Sequence, residues 1–144
     1  MEMRAVSGFG TNSKLAAYQS VSAYGGVACD DPHRLVLMIM DGALDRLALA
    51  RGFQERGNTA RKAQVLHSCI ILITELRGSL NLQQGGPLAQ NLSELYDYMQ
   101  RRLLRAISED NMECVKEVTT LLGEIRSAWA AIAPSGSAAA APAG

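Results

Sequence analysis

Four stretches of this chain carry apolar residues at alternating spacings of three and four, the mark of a helix with one buried face. In the first, over residues 32–56, the series is Val36, Met40, Ala43, Leu47 and Ala50. The second, over 59–80, has Leu66, Cys69, Ile73, Leu76 and Leu80. The third, over 87–107, has Leu88, Leu92, Leu95, Met99, Leu103 and Ala106. The fourth, over 111–132, runs Val115, Val118, Leu122, Ile125, Trp129, Ile132. Helix-breaking chemistry separates them: Gly57-Asn58, Gln84-Gly85-Gly86-Pro87 and Ser108-Glu109-Asp110-Asn111. Asp31 is placed to cap the first helix, with Pro32 at its first position. Asp110 with Glu113 reads as a capping box for the last. Helices of matched length joined by short connections pack against their sequence neighbours. The expected fold is therefore all-α, an antiparallel up-down four-helix bundle.

The ends lack this pattern. Residues 1–15 read as a flexible N-terminus, and 133–144, rich in Ala, Gly, Ser and Pro, as a disordered tail. The bundle domain spans 16–132. Around its start, Leu15 to Val21 is a short apolar stretch expected to pack on the bundle, with room for a small helix.

Charge and composition exclude several function classes. The 14 basic and 14 acidic residues cancel, so there is no basic footprint for nucleic acid. Uncharged apolar runs are short, as in Leu35–Met40, so no membrane insertion is expected. The segment Met1–Gly8 has no apolar stretch of a secretory signal, which points to the cytoplasm. Cys29, Cys69 and Cys114 are odd in number and far apart, and read as reduced thiols.

Two helices hold more apolar surface than one seam requires. In Leu35-Val36-Leu37-Met38-Ile39-Met40 every direction around the axis is apolar. With Val36 inward, Met38 points to the opposite side, and Leu35 and Phe53 share a flank. Ile71 projects away from the Leu66–Cys69–Ile73 seam, and Leu104 lies opposite Leu95. A surplus of this kind calls for a cover, either from Leu15–Val21 of the same chain or from a partner helix laid in a groove.

Catalytic chemistry is sparse. His33 and His67 lie on different helices without the Glu-x-x-His spacing of a metal-carboxylate bundle. His67, on an outer face, reads as a plain surface histidine; its functional reading would be a phosphoryl-accepting one. Asp41 and Asp45 share a helix face, as solvated carboxylates often do. No phosphate-binding loop and no nucleophile–base motif is present, and in the cluster Arg101, Arg102 and Arg105 the first has Asp97 four residues before it, as in a helix pair. No enzyme activity, cofactor or metal is expected.

Ala17-Tyr18-Gln19, then Leu37-Met38-Ile39-Met40-Asp41-Gly42-Ala43, then Gly85-Gly86-x-x-Ala89-x-Asn91-Leu92-x-x-Leu95-Tyr96-x-Tyr98-Met99 follow one another in an order that resembles the flagellin-specific export chaperones, the FliS family. Arg101-Arg102-Leu103 and the run from Glu117-Val118 through Leu121-Leu122 to Ala128-Trp129 continue the likeness, which covers residues 16–132. The resemblance implies a cytosolic chaperone that holds the disordered C-terminal segment of flagellin, blocks its premature polymerisation and delivers it to a flagellar export gate component. It also implies contact with the anti-sigma factor of flagellar regulation, and an N-terminal segment that lies over the client surface in the empty state.

By position, the resemblance assigns Tyr18 and Gln19 to covering or shaping the client groove, and Asp41 and Gly42 to the first helix, where Gly42 admits a close backbone. Asn91, Leu92, Tyr96, Tyr98, Met99 and Arg102 carry the third-helix signature. Leu92 and Met99 also read as seam residues, and either tyrosine could anchor a partner. Leu35, Met38 and Ile71 join the candidate binding surface from the apolar surplus. The chain departs from the family pattern at Met40, where tyrosine is common, at Cys29-Asp30-Asp31-Pro32, and at Ile107. A bundle that self-associates through the same apolar surface, without a client, is the alternative class.

Overall fold

A computed structural model describes residues 31–132. Helix α1 is Pro32–Glu55, α2 Thr59–Gly78, α3 Leu82–Glu109 and α4 Met112–Ala131. Sequence-local chemistry sets these limits. Asp31 accepts the His33 amide at 3.0 Å and Pro32 occupies the first turn, as the sequence predicts. Gly57, at φ +70°, turns the chain after α1, and Asn58 caps α2 through the Arg61 amide at 3.1 Å.

Two helix starts differ from expectation. The third helix starts at Leu82 rather than 87, because a short helical stretch precedes a kink at Gly86 (φ 58°, ψ −142°). Glycine alone adopts that backbone without strain, and Pro87 restarts the helix. The fourth helix is capped by Asn111, which accepts the Glu113 amide at 3.0 Å, and not by Asp110. Asp110 instead takes a left-handed φ of 54° between the helices.

Each helix packs on two neighbours, α1 on α2, α2 on α3, α3 on α4 and α4 on α1, which closes an all-α bundle. Cross-helix pairs establish the direction of each. Arg46 bonds Ser68 and the Cys69 thiol meets the Ala43 carbonyl between α1 and α2. Arg77 reaches Asp97 while Gln100 reaches Thr74 between α2 and α3. In both pairs numbering rises on one helix as it falls on the other, so neighbours are antiparallel.

The core follows the predicted seams through the middle of the bundle. Met40, Ala43, Leu47 and Ala50 of α1 meet Leu66, Cys69, Ile73 and Leu76 of α2, with Met99, Leu103 and Ala106 of α3 and Val115, Val118 and Leu122 of α4. A fully buried leucine or valine contributes about 1.5–3 kcal/mol. Burial raises the Cys69 thiol to about 12, so it stays protonated and packs as an apolar group.

The two ends of the bundle differ. At the α1–α2 and α3–α4 turns, Lys62 is 1% exposed and its ammonium is held by Gln54 and by Asp110. At the other end the seam residues are not fully covered. Val36, Leu80, Leu92, Ile125 and Trp129 are only half-buried, Leu88 is 67% exposed and Ile132 52%. Trp129, expected in the core, lies at the margin of an opening. No helix of the described residues is long and apolar enough to cross a membrane.

Candidate functional site

The under-buried seam residues share one place. Val36, Leu80, Leu88, Leu92, Ile125, Trp129 and Ile132 all line an apolar groove of about 820 Å³ at the end where α1 and α3 begin and α2 and α4 finish. Leu35 and Ile39 of α1 and Tyr96 of α3 extend its walls. Four antiparallel helices would normally fill this space with their own side chains; here the described residues leave the end open.

Local interactions hold the groove in shape. His33 Nε2 donates to the Trp129 carbonyl at 2.8 Å, and Trp129 Nε1 donates to the His33 carbonyl at 2.9 Å. Because a carbonyl only accepts, Nε2 carries the proton. The two rings stack with centroids 5.0 Å apart, so the start of α1 is clasped to the end of α4. Across the groove, Gly85 sits so close to Ala89 that an added Cβ would come within 2.5 Å of the alanine methyl. A side chain at Gly85 would force the wall apart.

The candidate residues from the sequence fall into separate places. Leu35 and Tyr96 line the groove. Tyr96 is almost wholly buried, and burial pushes its phenol up to about 12, so it stays neutral at physiological pH. Met38 is half-buried and packs against the core. Asp41 accepts from Arg126 through both oxygens, at 2.8 and 3.3 Å, and ties α1 to α4. Gly42 is buried, and its carbonyl accepts from Arg46. Ile71 is exposed on the outer side of α2. Asn91 is exposed beside Pro87 and Glu94, outside the groove.

Tyr98 and Arg102 form a second polar knot. The Tyr98 hydroxyl donates to Glu117 at 2.7 Å, and Arg102 Nε donates to the same carboxylate at 2.7 Å. The tyrosine hydrogen bond, then the arginine, holds Glu117 below the usual carboxylate range. These residues join α3 to α4 on a face away from the groove lining. The two tyrosines of one motif thus face different surroundings, one apolar and one ionic. Tyr18 and Gln19, with the whole Leu15–Val21 stretch, lie outside the described residues.

Sequence reasoning assigned Val36, Leu80, Leu88, Leu92, Ile125, Trp129 and Ile132 to the core and so missed them as a site. The usable signal was their clustering at one end of all four helices. It missed Glu75 altogether. Glu75 is 6% exposed, sits in the last turn of α2 and is the one carboxylate among the described groove residues. Among the described residues no three His, Cys, Asp or Glu side chains come together as a metal-ligand set. What the geometry offers is an apolar receptacle with one carboxylate.

The family model described as flagellar protein FliS matches residues 14–136. This chain belongs to the FliS family. The flagellar secretion chaperone FliS of Salmonella typhimurium is 41% identical over 128 residues, covering 88% of this chain and 95% of that protein. The flagellar secretion chaperone FliSB of Pseudomonas aeruginosa is 40% identical over 115 residues, covering 80% and 91%. The Vibrio cholerae FliS is 33% identical over 120 residues, covering 83% and 88%. The FliS match takes in all four helices and every described residue of the groove.

Proposed function

We propose that the chain is a flagellar secretion chaperone whose end groove takes up part of the disordered C-terminal segment of flagellin. The observation that carries this reading is the apolar seam that the described residues leave unfilled at one end of an otherwise close-packed bundle. Residues such as Leu88 and Ile132 are held open to solvent by rigid helices. A disordered client would fold onto them, losing about 2–5 kcal/mol in ordering and regaining it from apolar burial. Membership of a family whose members are named secretion chaperones supports the same role.

The protein would act in the cytoplasm, by binding and not by catalysis, to keep flagellin from polymerising before export. The loaded complex would pass to a component of the flagellar export gate, and the anti-sigma factor of flagellar regulation is a further proposed partner. Asp41, Asn91, Tyr98 and Arg102 lie outside the groove lining and would meet client segments that continue over the bundle surface, along with Met38 and Ile71, while the buried Gly42 would let another backbone approach α1 closely. Tyr18 and Gln19 are proposed to cover the groove when it is empty.

Size-exclusion chromatography with light scattering, run with and without a flagellin C-terminal peptide, tests the reading. The expected result is a one-to-one complex. A stable dimer that ignores the peptide would favour a self-associating structural protein instead.

A further inference from the structure

Glu75 is a carboxylate out of place. It sits in the wall of an apolar groove, 6% exposed, and no hydrogen-bond or ion-pair partner holds its side chain among the described residues. Its own helix makes matters worse. Residues 75–78 form the last turn of α2, where the negative end of the helix dipole favours a cation over a second negative charge. The basic residue of that turn, Arg77, is engaged elsewhere, with Ser93 at 3.1 Å and Asp97 at 3.2 Å. Nearby, the Ser79 hydroxyl donates to the Leu76 carbonyl at 2.7 Å. When a client fills the groove, water leaves the Glu75 carboxylate, and an apolar occupant would strand it.

Resting on the flagellin reading above, we infer that Glu75 is a specificity-determining residue: the segment that enters the end groove places a lysine or arginine within an apolar stripe, and that cation pairs with Glu75. The apolar walls supply affinity. The carboxylate supplies register, because a segment shifted along the groove puts a methylene chain against a desolvated charge. A wholly apolar segment of the same shape is rejected for the same reason, which keeps an open apolar groove from taking up unrelated hydrophobic chains.

The test is a cycle of peptide and protein variants. A flagellin C-terminal peptide is prepared with each lysine in turn replaced by norleucine and each arginine by citrulline. Each peptide is titrated calorimetrically into the full chain and into Glu75→Gln, which keeps the shape of the side chain. At one peptide position the replacement is expected to weaken binding to the native protein about tenfold, while Glu75→Gln binds both peptides alike. Glu75→Leu repeats the series with a side chain that needs no polar partner, and is expected to prefer the replaced peptide. If the unaltered peptide binds yet every replacement is felt equally by native protein and variants, the pairing is overturned and the chaperone reading stands. If the native protein takes up no peptide at all, the flagellin reading falls and this inference falls with it.

Discussion

Leu88→Glu is expected to weaken uptake of a flagellin C-terminal peptide about 100-fold while leaving the bundle as stable as before. Leu88 is 67% exposed, so its side chain contributes little to the folded state, and surface changes of this kind shift stability by about 0.5 kcal/mol or less. The same exposure gives it a large effect on binding. In the complex the leucine would be covered, worth about 1.5–3 kcal/mol, and a carboxylate in its place would be desolvated against apolar walls that also contain Glu75. About 2.7 kcal/mol corresponds to the hundredfold loss. Isothermal titration with a urea melt as control checks both halves. Undiminished binding would remove the groove from the client site.

The second large effect belongs to the closed end. Asp110→Ala is expected to destabilise the bundle by about 3 kcal/mol, whereas Lys62→Met should be close to neutral. The Lys62 ammonium is 1% exposed and its partners are Gln54 and Asp110. Removing the carboxylate leaves a buried cation with one neutral acceptor; Asp110 is itself 62% exposed, so water offsets part of the 3–5 kcal/mol typical of broken buried pairs. Alanine would also inherit a φ of 54°, which costs about 1 kcal/mol. Lys62→Met removes the need for the pair and keeps similar volume, the kind of replacement that buried ion pairs often tolerate. Urea denaturation of both variants checks the contrast. Equal losses would mean that Lys62 acts mainly through packing.

The origin of these two ends explains how far the sequence could be read. Apolar spacing located all four helices, because it records which face each helix buries. It could not separate Leu47, which is covered on all sides, from Leu88 or Ile132, which carry the same spacing but lie where the helices leave a gap. Periodicity reports direction around a helix axis and says nothing of whether a neighbour arrives. The surplus of apolar surface was legible in the sequence. The groove, however, lies within the seams, at one end, and not on the outer face that Met38 and Ile71 suggested. Asn111 and Asp110 show a related ambiguity: both suit a helix start, and only the left-handed turn with its link to Lys62 assigns them. Glu75 was invisible for another reason. Carboxylates near helix ends are ordinary in sequence, and its burial depends on helices distant along the chain.

Trp129 gives the most direct test, since it is the one tryptophan of the 144-residue chain and it lines the groove. A flagellin C-terminal peptide without tryptophan, titrated into the full chain, should exclude water from the indole and shift its emission to the blue, saturating at one-to-one stoichiometry. Binding seen by calorimetry with no change in Trp129 emission would contradict the account and place the client elsewhere on the bundle.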